Sequence, residues 1–432
     1  MSAVPPAVSS PRSSLLPWFM WGLGALFYTY GFFQRVAPSV MVGELMRDFA
    51  VGAAITGTLS SLYFYTYAGL QIPIGLMLDK YGPRRVLVLA CLFSAAGSAF
   101  FASAQGLLPA YVGRAMIGAG AAVTWVGALK LATLWFPPRR FALLTGLTMA
   151  FGMAGAVGGQ APLSAAVDAF GWRGTLYFAA GLALVLGAFI WIVVRDHGSQ
   201  PNVHAARSKD DTTPKPRLLD GLKIVLRTPQ TWWTSLFGAM MSAPMLAFAA
   251  LWGVPYMMDV HDLSKESAAL GTSLMLVGWG IGSPLVGYVS DRFATRRKPM
   301  LVTAIGTLAT TLAWLYGDLP LGMVYVLQFL TGVFSGGIVV FFAAVREHNL
   351  VSAAGAALGV ANMLNMATGA VFQPLVGWLL DQRWDGTLVD GARVYGDNAW
   401  MVALVVLPAC QVLSLIGAIM VRETHCQPVK IG

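Results

Sequence analysis

Three cations lie inside long apolar stretches of this 432-residue chain: Arg35 in FYTYGFFQRVAPSVM, Arg114, and Lys130 in WVGALKLATLWF. Arg35 has the clearest chemistry. Counted from residue 18, where its stretch begins, it sits 17 residues in, or about 25 Å along a helix. An arginine at that depth costs at least about 3 kcal/mol unless it faces water or a partner. Its guanidinium keeps its proton, and its fork fits a carboxylate or phosphate. Tyr28 and Phe32 precede it at helical spacing. The expectation is an anion-binding arginine; the alternative is a structural one, bonded to backbone or to Glu44. Lys130 is a second candidate cation. It lies five residues before Trp135, so its amine could instead reach the membrane surface.

Polar and aromatic residues could complete such a pocket. Tyr63 and Tyr67 are four apart, Asn362 and Asn365 share a helix face, and Trp125 lies near Lys130. Gln160 and Gln373 are further candidates. An apolar cavity with a few placed polar groups suits a small ligand, although each residue could equally serve helix packing. None of the 19 acidic residues falls mid-stretch; Glu44, Asp79, Asp168, Asp318 and Asp381 sit at ends or in loops. The five histidines, His197, His204, His261, His348 and His425, are also at ends or outside. Intramembrane proton relays usually use buried Asp, Glu or His. Cations without buried carboxylates point to an anion ligand and leave proton coupling without an obvious carrier.

The elements that must hold these residues are membrane helices. Hydrophobic residues form 57% of the chain and charged residues 11%. Twelve stretches approach the ~20 apolar residues a bilayer crossing needs, near 18–44, 52–78, 84–104, 107–135, 140–167, 173–194, 230–258, 264–290, 298–317, 320–345, 352–380 and 397–421. Runs of this length exclude the alternation of a membrane barrel. The net charge of +9 does not imply nucleic acid, because the charge is sorted by loop. With both termini cytoplasmic, inside segments carry 20 of the 28 Lys+Arg, and outside segments carry five: Arg47, Arg173, Lys265, Arg383 and Arg393. That skew sets the expected orientation. Residues 195–229 read as a cytoplasmic linker between two six-span units, 1–194 and 230–432, and 381–398 as the longest outer loop. Cys91 and Cys410 lie in apolar stretches and Cys426 in the tail, so no disulfide framework is implied. The chain has no Asn-x-Ser/Thr acceptor, which favours a bacterial inner membrane.

The two units repeat. GLMLDKYGPRR begins at Gly75, and GYVSDRFATRRK begins at Gly287, 287 − 75 = 212 residues later. Gly146, Gln160 and Asp168 are echoed by Gly359, Gln373 and Asp381 at identical spacings, and Arg114 with Gly118 by Gln328 with Gly332. Such duplication is the signature of a carrier built from two halves around a central site.

With these motifs the chain resembles the major facilitator superfamily. Gly75 to Arg85 matches that family's loop 2–3 signature, Arg114 with Gly118 and Gly120 its fourth-span motif, and Gly171-Trp172-Arg173 its GWR segment. The resemblance implies an all-α membrane fold of twelve helices in two pseudo-symmetric six-helix bundles. It also implies a cavity lined by spans 1, 4, 7 and 10, and rocking of the halves. It assigns gating to Gly75, Asp79, Gly82, Arg84, Arg85, Arg114, Asp291 and Arg292, with Asp79 meeting a helix N-terminus or an arginine of the facing half. Cations on spans 1 and 4 resemble the organic-anion branches. The family's antiporters often carry Gly-Pro in span 5; here Gly152 to Pro162 reads GMAGAVGGQAP, without that pair. Gln34 also stands where proton-coupled organic-anion relatives often have an acid. The expected function is transport of a mono- or dicarboxylate by alternating access. Zwitterion carriage and export of amphipathic compounds are the rivals. No enzyme motif, metal cluster or cofactor site is read, and a monomer in a lipid bilayer is expected.

Overall fold

The computed structural model describes residues 15–137, 140–196, 218–350 and 353–428. Most of the expected linker, with both chain termini, lies outside the described residues, as does Arg139. All twelve apolar segments fall on helices. Span 1 is Leu16–Val36, span 2 Ala53–Tyr81, span 3 Pro83–Ser103, and span 4 Leu107–Ala121 with Thr124–Trp135. Span 5 runs from Phe141–Gly158 into residues 161–170, and span 6 covers 172–193; Gly171, at φ +70°, separates them. Span 7 joins Pro229–Met241, a π-helical turn Pro244–Trp252, and Gly253–His261. Spans 8 and 9 are Lys265–Arg292 and Arg297–Tyr316. Span 10 is Leu321–Ser335 with Ile338–Glu347, span 11 Ala354–Gln382, and span 12 Asp397–Ala403 with Val406–Met420. Nine helical stretches among the described residues are long and apolar enough to cross a membrane. Spans 1 and 2 and the Phe141–Gly158 part of span 5 are the remainder, consistent with twelve.

Span 1 ends earlier than its hydropathy suggests. The helix stops at Val36 and passes through a 3-10 turn, Ala37–Val40, into a short helix, Val42–Phe49. The apolar run to residue 44 continues because Val40, Met41 and Val42 are buried against the protein core.

The Gly75–Arg85 motif has a local physical cause. Gly82 takes φ +79° to reverse the chain between spans 2 and 3, and Pro83 starts the next helix. A Cβ at Gly82 would lie 2.6 Å from the Asp196 carboxyl carbon. Only glycine satisfies both the left-handed φ and this approach. Asp196, just past span 6, accepts the Arg84 amide at 2.8 Å, while Arg84 Nε donates to Trp191 O at 2.9 Å. Glu423, just past span 12, does the same for the second half, accepting the amides of Arg296 and Arg297 at 2.8 and 3.0 Å. Burial would raise its pKa, but these bonds and those from Thr295 and His425 outweigh burial and hold it down to about 2.

The two halves meet at the face away from the motif turns. Ala53 and Ala54, at the start of span 2, donate amides to the two oxygens of Asp381 at 3.0 and 2.9 Å. Lys265, at the start of span 8, bonds Asp168 at 2.7 Å and also Glu44. A carboxylate at a helix N-terminus satisfies orphan amides and the helix dipole together. Spans 2 and 11 then run close together; a Cβ on Gly57 would lie 2.5 Å from Gln373 O. The deepest cross-half hydrogen bond among the described residues is Asn362 Nδ2 to Gln71 Oε1, 3.1 Å. Beyond it, added Cβ atoms on Gly75, Gly146, Gly355 and Gly359 meet nothing within 4 Å. The halves are thus joined at the opposite face and parted at the motif face.

Candidate substrate-binding site

Arg35 occupies the last turn of span 1 and is 4% exposed. Its guanidinium carbon lies 4.1 Å from the Phe32 ring centre, 5.4 Å from Tyr67, 5.7 Å from Tyr63 and 6.0 Å from Phe64. Its Nε is buried without a hydrogen-bond partner, and no carboxylate among the described residues pairs with it. The alternative partner, Glu44, is committed to Lys265. Aromatic faces stabilise a cation by about 0.5–2 kcal/mol each at best, less than a desolvated charge needs. The arrangement leaves the cation without a countercharge among the described residues.

Tyr28, Phe32 and Trp125 extend the aromatic wall. Tyr28 is 4.9 Å from Phe32 and 5.2 Å from Trp125, and its hydroxyl donates to Met149 Sδ at 3.6 Å. Tyr63 donates to Gly31 O at 2.9 Å and stacks on Tyr67 at 6.0 Å. Tyr28, Phe32, Arg35, Tyr63, Tyr67 and Trp125 therefore form one contiguous group.

The cation from span 4 in this group is Arg114, not Lys130. Arg114 is 1% exposed, and its guanidinium carbon lies 5.0 Å from the centre of the Tyr63 ring. It donates to Gln34 O at 2.7 Å, Arg35 O at 3.3 Å and Ser60 O at 3.4 Å. Its fork is filled by backbone carbonyls from the end of span 1 and from span 2, a structural role. Lys130 instead pairs with Asp79 at 2.6 Å, with its side chain 33% exposed. That places it at the motif end of its half, so the reading of Lys130 as a pocket cation is corrected. The reason is the acid four residues past Gly75, which is within reach of an amine that would otherwise lie on the apolar wall.

The same pair revises the expected latch. Asp79 bonds within its own half and is 69% exposed. Asp291 likewise pairs with Arg296 of its own half at 2.6 Å, and Arg296 also meets Glu347 at 2.7 Å. Neither crosses between halves, because the motif face is parted. Gly75 is uncrowded there, and Arg85 and Arg292 are exposed.

The amides divide. Asn362 joins Gln71 across the halves, and Asn365 is buried with Oδ1 unpartnered. Gln160 lies apart from the aromatic group: it accepts from Ser39 at 3.3 Å and donates to Ala249 O in span 7 at 2.8 Å. Gln373 donates to Leu246 O at 2.7 Å. Both glutamines thus bind carbonyls of the π-helical turn. Sequence reasoning missed Gln71, although it lies one turn past Tyr67. It also missed a repeated indole–carboxylate pair: Trp172 Nε1 to Asp48 Oδ2, 2.9 Å, and Trp400 Nε1 to Asp259 Oδ2, 3.0 Å.

Comparison with known proteins accords with this architecture. The sequence profile described as "Major Facilitator Superfamily" matches residues 22–372 and 245–409. A hexuronate transporter of Bacillus subtilis (strain 168) is 24% identical over 396 residues, covering 87% of this chain and 90% of that protein. A probable sulfoacetate transporter of Cupriavidus necator is 24% identical over 283 residues, 64% of this chain and 65% of its own length. Among solved structures, a bacterial homologue of the human lysosomal transporter Spinster, in an inward-facing and unoccupied conformation, superposes with a TM-score of 0.75. It is 15% identical and covers 95% of this chain and 96% of its own. The duplicated halves, the loop signature and the profile match together show that this chain is a multi-pass membrane transporter belonging to the major facilitator superfamily.

Proposed function

We propose that the chain carries a small organic anion, a mono- or dicarboxylate, across the membrane by alternating access, with Arg35 as the anion's partner. The observation that carries this reading is the buried guanidinium with an unpartnered Nε, aromatic rings around it and no carboxylate partner among the described residues. The substrate supplies the missing countercharge. The relatives named for hexuronate and sulfoacetate, both organic anions, support the class. The charge skew reads the motif face as cytoplasmic, so the described arrangement is open inward and closed outward. In the cycle, an anion on Arg35 draws in the span 11 wall bearing Asn362 and Asn365. The halves then rock, and Asp79 and Asp291 exchange their within-half partners for contacts across the closing motif face.

A thermal-shift panel of carboxylates, sulfonates, amino acids and dipeptides tests this on detergent-purified protein and on Arg35→Gln. A ligand at about 100 times its dissociation constant adds about 2.7 kcal/mol to native stability. Stabilisation by carboxylates or sulfonates that vanishes in the variant is expected. Stabilisation by dipeptides alone, or equally in both proteins, refutes the reading.

A further inference from the structure

The segment 383–396 is an insertion in one half of an otherwise repeated framework. In the first half, Asp168 is followed after 172 − 168 = 4 residues by Trp172, whose indole holds Asp48. In the second half, the equivalent Asp381 and Trp400 stand 400 − 381 = 19 residues apart, and Trp400 holds Asp259 in the same way. The spacing is longer by 19 − 4 = 15 residues, and the added segment contains a hairpin, with Leu388–Val389 paired to Ala392–Arg393. Asp390 and Gly391 both take positive φ at its turn, the conformation a two-residue hairpin needs.

The hairpin is fastened to its own half. Tyr395 N donates to Asp259 Oδ2 at 3.3 Å, the same oxygen that Trp400 holds. Tyr395 is 2% exposed and packs 6.3 Å from Trp400. Arg393 covers the Trp384 ring at 4.1 Å.

It also reaches the other half. Tyr395 Oη accepts the Ala53 amide at 3.1 Å while donating to Asp381 Oδ1 at 2.7 Å. Arg393 Nη1 bonds the same Asp381 oxygen at 3.1 Å and lies 2.7 Å from where a Cβ on Gly52 would stand. The turn glycine, Gly391, sits against the Arg47 side chain, 3.2 Å from its Cγ to an added Cβ. The repeat-related contact on the other side, Asp168 with Lys265 and Glu44, has no such covering.

We propose that segment 383–396 is a strap that locks the outer gate: it stays with the second half and clips onto the start of span 2 through Tyr395 and Arg393. Opening outward requires Tyr395 Oη to release Ala53 N, and Asp381 to leave the span 2 terminus. The strap therefore weights the carrier toward the state parted at the motif face. This goes beyond the substrate reading and does not depend on it.

The test places spin labels at Gln105→Cys and Asp318→Cys, exposed positions between spans 3 and 4 and between spans 9 and 10 on the same face. Cys426→Ser removes the one native thiol that is not buried. Distances are measured in the full chain without substrate. Tyr395→Phe removes one hydroxyl that serves two partners, and its long-distance, outward-open population should rise about tenfold. Arg393→Gln with Tyr395→Phe should raise it further. Tyr395→Phe changes too little to unfold the protein, and its melting temperature confirms this. An unchanged distance distribution in a folded Tyr395→Phe protein overturns the proposal, as does a shift toward the closed distance.

Discussion

Replacing Arg35 with glutamine should separate binding from stability, because the two respond to the same charge in opposite directions. In the unliganded protein the guanidinium is buried at 4% exposure, with Nε unpartnered and four aromatic rings between 4.1 and 6.0 Å. Burial of an arginine deep in a membrane helix costs about 3 kcal/mol on the lowest scales. Cation–aromatic contact, at the low end of about 0.5 kcal/mol for each of the four rings, returns about 2 kcal/mol of that. The net strain is about 1 kcal/mol, and glutamine removes it. With an unfolding entropy of about 2 cal/mol/K per residue, a chain of 432 residues should gain about 1 °C in melting temperature. Substrate binding should move the other way. Two charge-assisted bonds from the fork are worth about 1.5–3 kcal/mol each, so affinity should fall about 100-fold or more. Isothermal titration gives the affinity and a thermal melt without ligand gives the stability. Wild-type affinity in Arg35→Gln would remove Arg35 from the site. A large drop in the unliganded melting temperature would refute the claim that the charge lacks a partner.

Other expectations follow from particular contacts. Lys130→Met should leave substrate affinity within about twofold, because Lys130 is paired to Asp79 at the motif end; loss of binding in titration would return it to the pocket. Asp79→Asn removes an exposed pair worth at most about 1 kcal/mol and should slow flux into proteoliposomes while keeping affinity, and unchanged flux would exclude a gating role. Gly57→Val forces a side chain against Gln373 O and Pro374, with overpacking of about 1–3 kcal/mol. It should populate the outward-open label distance; an unchanged distance would mean that spans 2 and 11 can spread without opening the gate. Glu423 has a folded pKa of about 2, below the usual 4.5. Its contribution to stability is therefore fully present above pH 4.5 and is lost as pH falls through about 2. Melting temperatures of Glu423→Gln should be lower than wild type at pH 7 and converge with it near pH 2, and parallel curves would contradict the assignment.

Much of the architecture was legible because membrane helices must be long and apolar, and the repeat offset survives in polar residues with few substitutes. Gln160 and Gln373, spaced alike from Asp168 and Asp381, are brought to the same span 7 turn. The burial of Arg35 was legible from its depth in span 1 alone. Lys130 was not, because its partner Asp79 is 51 residues away and sequence spacing within one helix says nothing about its neighbour. The break in span 1 was hidden because Val40, Met41 and Val42 carry the apolar run on past the helix end at Val36. The π-helical turn Pro244–Trp252 left no periodic trace either, since all nine of its residues are buried. The Asp48–Trp172 and Asp259–Trp400 pairs could have been found. The aspartates are 259 − 48 = 211 residues apart, close to the repeat offset, but the inserted strap displaces Trp400 from register.

With Arg35 as the proposed seat of the anion, Arg114 fixes the part of the machine to which that seat belongs. By filling its fork with carbonyls from spans 1 and 2 while standing on span 4, it welds three helices of the first half into a single body, and Arg35 is fixed to that body. A cation so mounted has no travel of its own. In the frame of the first half the anion would stay still throughout the cycle, and what changes is the enclosure around it, as the second half tilts to uncover one side and then the other. On that view substitutions in the second half away from the Asn362 and Asn365 wall tune rates, whereas those around Arg114 misplace the seat itself.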